Sequence, residues 1–167
     1  MNKKTGVIKY TETAFEQDAG QAMKNDVVRA LIELITNCDD AYARAGKSGS
    51  IEIIVRRPAA SGDQIEISVR DQATGLDPQR MEENFVVLGG DRSGFAEGKE
   101  VRGLFSRGSK DTAWFGETVF ESIKDGTYSK LSLDNKGKWE SSHEDATPAH
   151  RTSLGLEDEK NGLSATM

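Results

Sequence analysis

A carboxylate, an amide and a second carboxylate stand at Glu33, Asn37 and Asp40 within the run Glu33-Leu34-Ile35-Thr36-Asn37-Cys38-Asp39-Asp40-Ala41. On a helix advancing about 100° per residue, Asn37 lies roughly 40° from Glu33 and Asp40 roughly 20° on the other side, so the three face the same way. Val27, Ala30, Leu31, Leu34, Cys38, Ala41 and Tyr42 fall on a broad neighbouring arc, which leaves an apolar side for a core and a narrow acidic edge beside it. Charges at this spacing commonly form only a solvated face. Asn37 argues for more, because its amide competes for backbone groups and makes it a mediocre helix former, yet it sits mid-helix between two acids. A carboxylate can accept a proton and an amide oxygen can hold a hard cation, so this edge suits acid–base or metal-assisted chemistry at the mouth of a cleft.

The elements that must position this edge can be read from periodicity. Residues from about Ala14 to Arg44 form helix, with a break expected near Gly20 and a stop at Gly46. The period then falls to two: Ile51, Ile53 and Val55, then Ile65, Ile67 and Val69, predict two adjacent strands with one face on the core. Asp71 ends the second strand and opens the turn Asp71-Gln72-Ala73-Thr74-Gly75-Leu76, and Pro78 starts a short helix to about Phe85. Six of the 17 glycines fall between residues 89 and 108, too long a stretch for a mere connector.

A further helix is expected from Gly108 or Ser109 to Trp114. Strands over 117–124, 128–134 and 137–140 should follow, with hairpin turns at Asp125-Gly126 and Asp134 to Gly137. Residues 141–161 are polar and read as loop, and Gly162 to Met167 reads as a strand. The pattern predicts an α/β (α+β) two-layer sandwich whose mixed, mostly antiparallel sheet carries helices packed on one face.

Bulk properties narrow the function classes. A chain of 167 residues with 35% hydrophobic content holds one domain with a real core. A formal net charge of −6 argues against gripping nucleic acid or an anionic membrane by bulk attraction. Lys99, Arg102, Arg107 and Lys110 form one local basic segment. The single cysteine, Cys38, lies on the apolar arc, so it reads as a buried thiol in a reducing compartment. No apolar run approaches the roughly 20 residues needed to span a bilayer, so the chain reads as cytoplasmic and soluble. His143 and His150 fall in the polar tail and receive no role.

Three segments together resemble the GHKL superfamily, whose Bergerat ATP-binding fold is shared by type II topoisomerases, the large heat-shock chaperone, histidine kinases and mismatch-repair ATPases. The helix with Glu33, Asn37 and Asp40-Ala41 resembles the N box; Asp71-x-x-x-Gly75 at a strand end resembles the G1 box; and the Gly-rich stretch ending Gly103-Leu104-Phe105-Ser106-Arg107-Gly108 resembles the lid and G2 box. Each is weak alone, but their order and spacing are specific, and the match runs from about residue 20 to the end. The sequence departs at Ala73 and Ser106, where many members carry glycine.

The resemblance implies a set of roles. Asn37 would hold the Mg²⁺ bridging the phosphates of ATP, and Glu33 would take a proton from the water that attacks the γ-phosphate. Asp40 would belong to the same nucleotide-binding edge. Asp71 would read the adenine amino group, with Gly75 and Leu76 carrying the backbone past the base or ribose. Gly103, Leu104, Phe105, Arg107, Gly108 and Lys110 would serve the phosphates, at a loop that leads into a helix start, and Thr166 would sit near the adenine. Residues 86–108 would form a flexible ATP lid.

The implied function is an ATP-hydrolysing switch in which an adenine nucleotide orders the lid and promotes a homodimer. In the hydrolytic branches a basic residue from a following domain reaches the γ-phosphate. The expectation is therefore a single ATP-binding domain over 1–167, the N-terminal portion of a longer protein and weak in turnover alone. A histidine-kinase-type catalytic domain and a non-catalytic nucleotide-sensing module are the competing readings. Glu33 and Asp40-Ala41 favour the hydrolytic branch over the first.

Overall fold

A computed structural model describes residues 2–7, 11–57, 64–86 and 108–167. The elements run β1 (Asn2–Val7), α1 (Glu12–Met23), α2 (Val27–Ala45), β2 (Glu52–Arg56), β3 (Glu66–Asp71) and α3 (Pro78–Phe85). From residue 108 come α4 (Gly108–Asp111), the 3₁₀ turn η1 (Thr112–Phe115), β4 (Thr118–Lys124), β5 (Thr127–Leu133), β6 (Lys138–Asp145), α5 (Pro148–Leu154) and β7 (Gly162–Thr166). The strands form one seven-stranded sheet in the order β1-β6-β5-β4-β7-β3-β2. Every pairing among the described strands is antiparallel.

The helices begin where short polar side chains can take the free N–H groups of a first turn. Thr11 caps α1 by accepting from the Ala14 N–H at 3.3 Å, Asp26 caps α2 through the Val28 N–H at 3.0 Å, and Asp77 caps α3 through the Arg80 N–H at 2.8 Å. The break between α1 and α2 is not at Gly20. It lies at Lys24 and Asn25, both with positive φ, and Asp26 restarts the helix. Gly20 stays helical because the Trp114 indole packs on it, with ring atoms 3.0 Å from where a Cβ would stand. A close-packed aromatic, not a bend, accounts for that glycine.

The core lies between the helical layer and one face of the sheet. Phe15 of α1, Leu34 and Cys38 of α2, and Met81 and Phe85 of α3 meet Val69, Phe120, Leu131, Leu133 and Ala165 of the sheet. The Phe85 and Phe120 rings stack at 3.8 Å between centroids. Burial thins toward the β2 edge. Ile53 and Val55 are on the same sheet face as Val69 yet are 46% and 64% exposed, so the expected burial of one whole face of β2 does not hold. Val27, placed on the apolar arc of α2, is also exposed.

Two polar segments have more structure than their composition signals. Residues 2–7 form an edge strand on β6. The segment 141–161, expected as loop, instead extends β6 to Asp145 and then forms α5, which covers the opposite face of the sheet. There Leu154 and Leu156 pack on Ile123 and Tyr128 in a second, small apolar cluster. His150 has partners after all: it completes the capping box of α5 with Thr147, stacks on Tyr128 at 3.9 Å and has Nε2 3.7 Å from a Glu144 carboxylate oxygen. Burial and the adjacent Glu121 carboxylate, which accepts from the phenol, push the Tyr128 hydroxyl well above its ordinary range. No described helix is long and apolar enough to cross a membrane.

Candidate nucleotide site

Helix α2 supplies the acidic edge. Its apolar side is anchored by Ala30, Leu34, Cys38 and Tyr42, all buried, which fixes the rotation of the helix and leaves Glu33 and Asn37 half-buried at its margin. Asp40, one turn beyond Asn37, is buried, and its Oδ2 has no hydrogen-bond partner among the described residues. A desolvated carboxylate oxygen left unpaired is costly, so it is a standing acceptor for a donor or cation.

Glu33 meets the start of α4. The Gly108 backbone lies so close to the Glu33 carboxylate that a Cβ added at Gly108 would overlap its Oε2. Gly108 is therefore packed on the expected base, and Ser109, Lys110 and Asp111 are buried behind it against α1 and α2. Lys110, expected near the phosphates, is fully buried. Replacing Gly108 with Ala is expected to displace the Glu33 carboxylate. The melting temperature should stay within a few degrees of wild type, because only the end of a flexible side chain has to move.

Asp71 ends β3, where that strand pairs with β7 at Leu163. Its side chain is buried and its Oδ1 accepts from the Ala73 N–H at 2.9 Å. The Cys38 thiol of α2 lies beside the same carboxylate. Burial raises the Asp71 carboxyl above the ordinary carboxylate range, although the Ala73 N–H, the thiol and the Arg44 charge all oppose the rise. Burial and the neighbouring Asp71 charge push the Cys38 thiol far up, so it is a hydrogen-bond donor and not a nucleophile.

Beyond Asp71 the chain turns tightly. Ala73 is buried with an ordinary φ, so its methyl fits where the family commonly has glycine. Gly75 cannot be replaced so simply: its φ is +61°, and a Cβ there would collide with the Ile123 carbonyl. Next to it the Leu76 N–H donates to Ser122 Oγ at 2.7 Å, and that hydroxyl donates in turn to the Gly162 carbonyl at 3.1 Å. On β7, Thr166 Oγ1 lies 2.8 Å from Ser68 Oγ on β3.

Helix α2 is thus the shared wall of the site, touching Asp71 through Cys38 and Gly108 through Glu33. Gly103, Leu104, Phe105 and Arg107, with nearly all of the expected lid, lie outside the described residues. Sequence reasoning missed Tyr42, Ser68 and Ser122 as supports and gave Cys38 only a packing role. The spacing of Cys38 and Tyr42, one turn apart beside Asn37, is the signal that was available for two of them.

A family model described as histidine kinase-, DNA gyrase B- and HSP90-like ATPase matches residues 23–134, more than half of the chain. Among solved structures, the ATPase region of Saccharomyces cerevisiae topoisomerase II matches with a TM-score of 0.59 at 16% identity, covering 84% of this chain and 37% of that one. At that identity the likeness speaks to the fold alone, and the chain spans little more than a third of the topoisomerase chain. No curated protein matches the sequence. The matched interval holds Glu33, Asn37, Asp71 and Gly108 with strands β2 to β5, and on the ground of this match the chain belongs to the histidine kinase-, DNA gyrase B- and HSP90-like ATPase family.

Proposed function

We propose that this domain binds ATP with Mg²⁺ and hydrolyses it slowly, as the nucleotide-dependent conformational switch of a larger, multidomain, cytoplasmic protein. The reading rests on one observation above all. A single helix carries Glu33 and Asn37 on its margin and, from the adjoining face, sets the Cys38 thiol beside the buried carboxylate of Asp71. The residues proposed for proton transfer, cation binding and base reading would therefore share one wall.

The donors fit a hard cation. The Asn37 amide oxygen and the unpaired Asp40 Oδ2 are oxygen donors of the kind Mg²⁺ takes alongside waters and phosphate oxygens. Bound there, Mg²⁺ would neutralise phosphate charge. Asn37 would hold it and Glu33, one turn away, would accept a proton from the attacking water.

Asp71, when ionised, accepts from an exocyclic amine. Adenine offers one at that edge; guanine offers an oxygen, which a carboxylate repels. Gly75 and Leu76 carry the backbone past the base or ribose, and Thr166 borders it. The residues 86–108 would close over the phosphates as a lid, with Gly103, Leu104, Phe105, Arg107 and Gly108 facing them, while Lys110 stays buried behind. A following domain would supply a basic group to the γ-phosphate, and the nucleotide-bound form would pair as a homodimer.

Calorimetric titration with ATP, ADP and GTP in the presence of Mg²⁺ tests this reading. The expected result is binding of both adenine nucleotides and at least tenfold weaker binding of GTP, the discrimination that one misplaced buried hydrogen bond produces. Equal affinity for ATP and GTP would remove the base-reading role. Selective binding without phosphate release, even with the following domain present, would make the domain a nucleotide sensor.

A further inference from the structure

Resting on the nucleotide reading, we infer that Tyr42 and Cys38 form a two-point clamp that sets the position of Asp71 and so determines base selectivity. The two residues are one turn apart on the buried side of α2, and both reach the same short segment at the end of β3. Tyr42 is buried, and its hydroxyl is bonded on both sides: it accepts from the Gln72 N–H at 2.9 Å and donates to the Ser50 carbonyl at 2.9 Å. The Cys38 thiol lies beside the carboxylate of Asp71 itself. The Tyr42 bond fixes the backbone immediately after the acid, and the thiol buttresses its side chain.

Three features give the Tyr42 contact its leverage. Gln72 lies just past the last ladder residue of β3, so its N–H has no strand partner and would otherwise be free to swing. The Tyr42 ring is itself pinned by Gly49, where any Cβ would overlap the ring. The Ser50 carbonyl that receives the phenolic proton leads directly into β2, which pairs with β3, so the hydroxyl closes a ring of contacts through α2, the α2–β2 connection and the end of β3. A carboxylate that must distinguish an amine from a carbonyl on a base edge needs to be held within a fraction of an ångström. The clamp provides that from the helix that also carries Glu33 and Asn37.

The test is base selectivity, measured by titrating the 167-residue protein with ATP and GTP, each with Mg²⁺. Tyr42→Phe keeps the ring in its slot and removes only the hydroxyl. It is expected to weaken ATP binding roughly tenfold and to change GTP binding less than about twofold, so the ATP:GTP ratio falls about tenfold. Cys38→Ala, which removes the side chain beside Asp71, should lower the ratio in the same direction, and Cys38→Ser, which restores a polar group there, should recover it. A purely structural role would lower the melting temperature and leave the ratio untouched. An unchanged ratio in Tyr42→Phe and Cys38→Ala overturns the clamp, and if Tyr42→Phe does not fold, the Cys38→Ala and Cys38→Ser pair decides alone. A wild-type protein with no preference for ATP overturns the nucleotide reading itself; a selective wild type with equally selective variants overturns only the clamp.

Discussion

Replacing Glu33 with Ala is expected to cut ATP hydrolysis by about 10² to 10⁴ while leaving ATP affinity nearly unchanged, the pattern of a lost general base. The expectation follows from where the side chain is. Glu33 is half-buried at the margin of α2, its neighbours Leu34 and Ala30 carry the packing, and its carboxylate rests on Gly108 and not within the apolar core. Truncating it therefore opens no core cavity, and any large loss of turnover belongs to chemistry. Glu33→Gln sharpens the test, because it keeps the contact with Gly108 and removes only the basicity. Phosphate release at saturating ATP should be measured with calorimetry alongside. If turnover survives both substitutions, another group takes the proton.

Asp71→Asn is expected to weaken ATP binding by roughly ten- to a hundredfold, since a charge-assisted hydrogen bond of about 1.5–3 kcal/mol is lost. The fold should respond in the opposite direction. Burial raises the Asp71 carboxyl above its value in the unfolded chain, so the folded chain holds that proton more tightly than the unfolded chain does. Ionising Asp71 thus costs folding stability, a cost fully present above the raised value and absent below the ordinary carboxylate range. The Asn variant, neutral throughout, should melt higher than wild type at pH 7 and equal to it near about pH 3. Wild-type ATP binding, which requires the ionised acid, should fail on acidification at a higher pH than an unperturbed carboxylate would allow. A variant that binds ATP as tightly as wild type rejects the base-reading role, whatever its melting point.

The chain's periodicity made most of the layered architecture legible. The two-residue alternation around Ile67 and Val69, the turns at Asp125-Gly126 and Asp134 to Gly137, and the Asp77-Pro78 helix start all stand where their local chemistry puts them. Errors came where a residue served a distant partner. Gly20 reads as a helix breaker from sequence alone, but its lack of a side chain makes room for Trp114, about ninety positions away. The strand Lys138–Asp145 runs polar at its end because hydrogen bonds to β5 and β1 hold it there, and those bonds have no sequence period. The start of α5 did carry a signal, a threonine followed by proline, that its polar surroundings obscured.

At the site, helical spacing placed Glu33, Asn37 and Asp40 on one edge of α2. The resemblance added the meeting of that helix with Asp71. What neither disclosed was the support beneath: Tyr42 bonding the Gln72 backbone, and Ser122 holding Leu76 from a strand nearly fifty residues on. Such contacts join side chains to backbone groups of remote segments.

The last strand, Gly162–Thr166, is inserted between β3 and β4 and is all that joins the pair β2–β3 to the four-stranded half of the sheet. Without that one strand the β3 ladder beside Asp71 and the β4 ladder beside Ser122 would each lie open, so a lesion in Gly162–Thr166 would loosen both halves of the sheet at once.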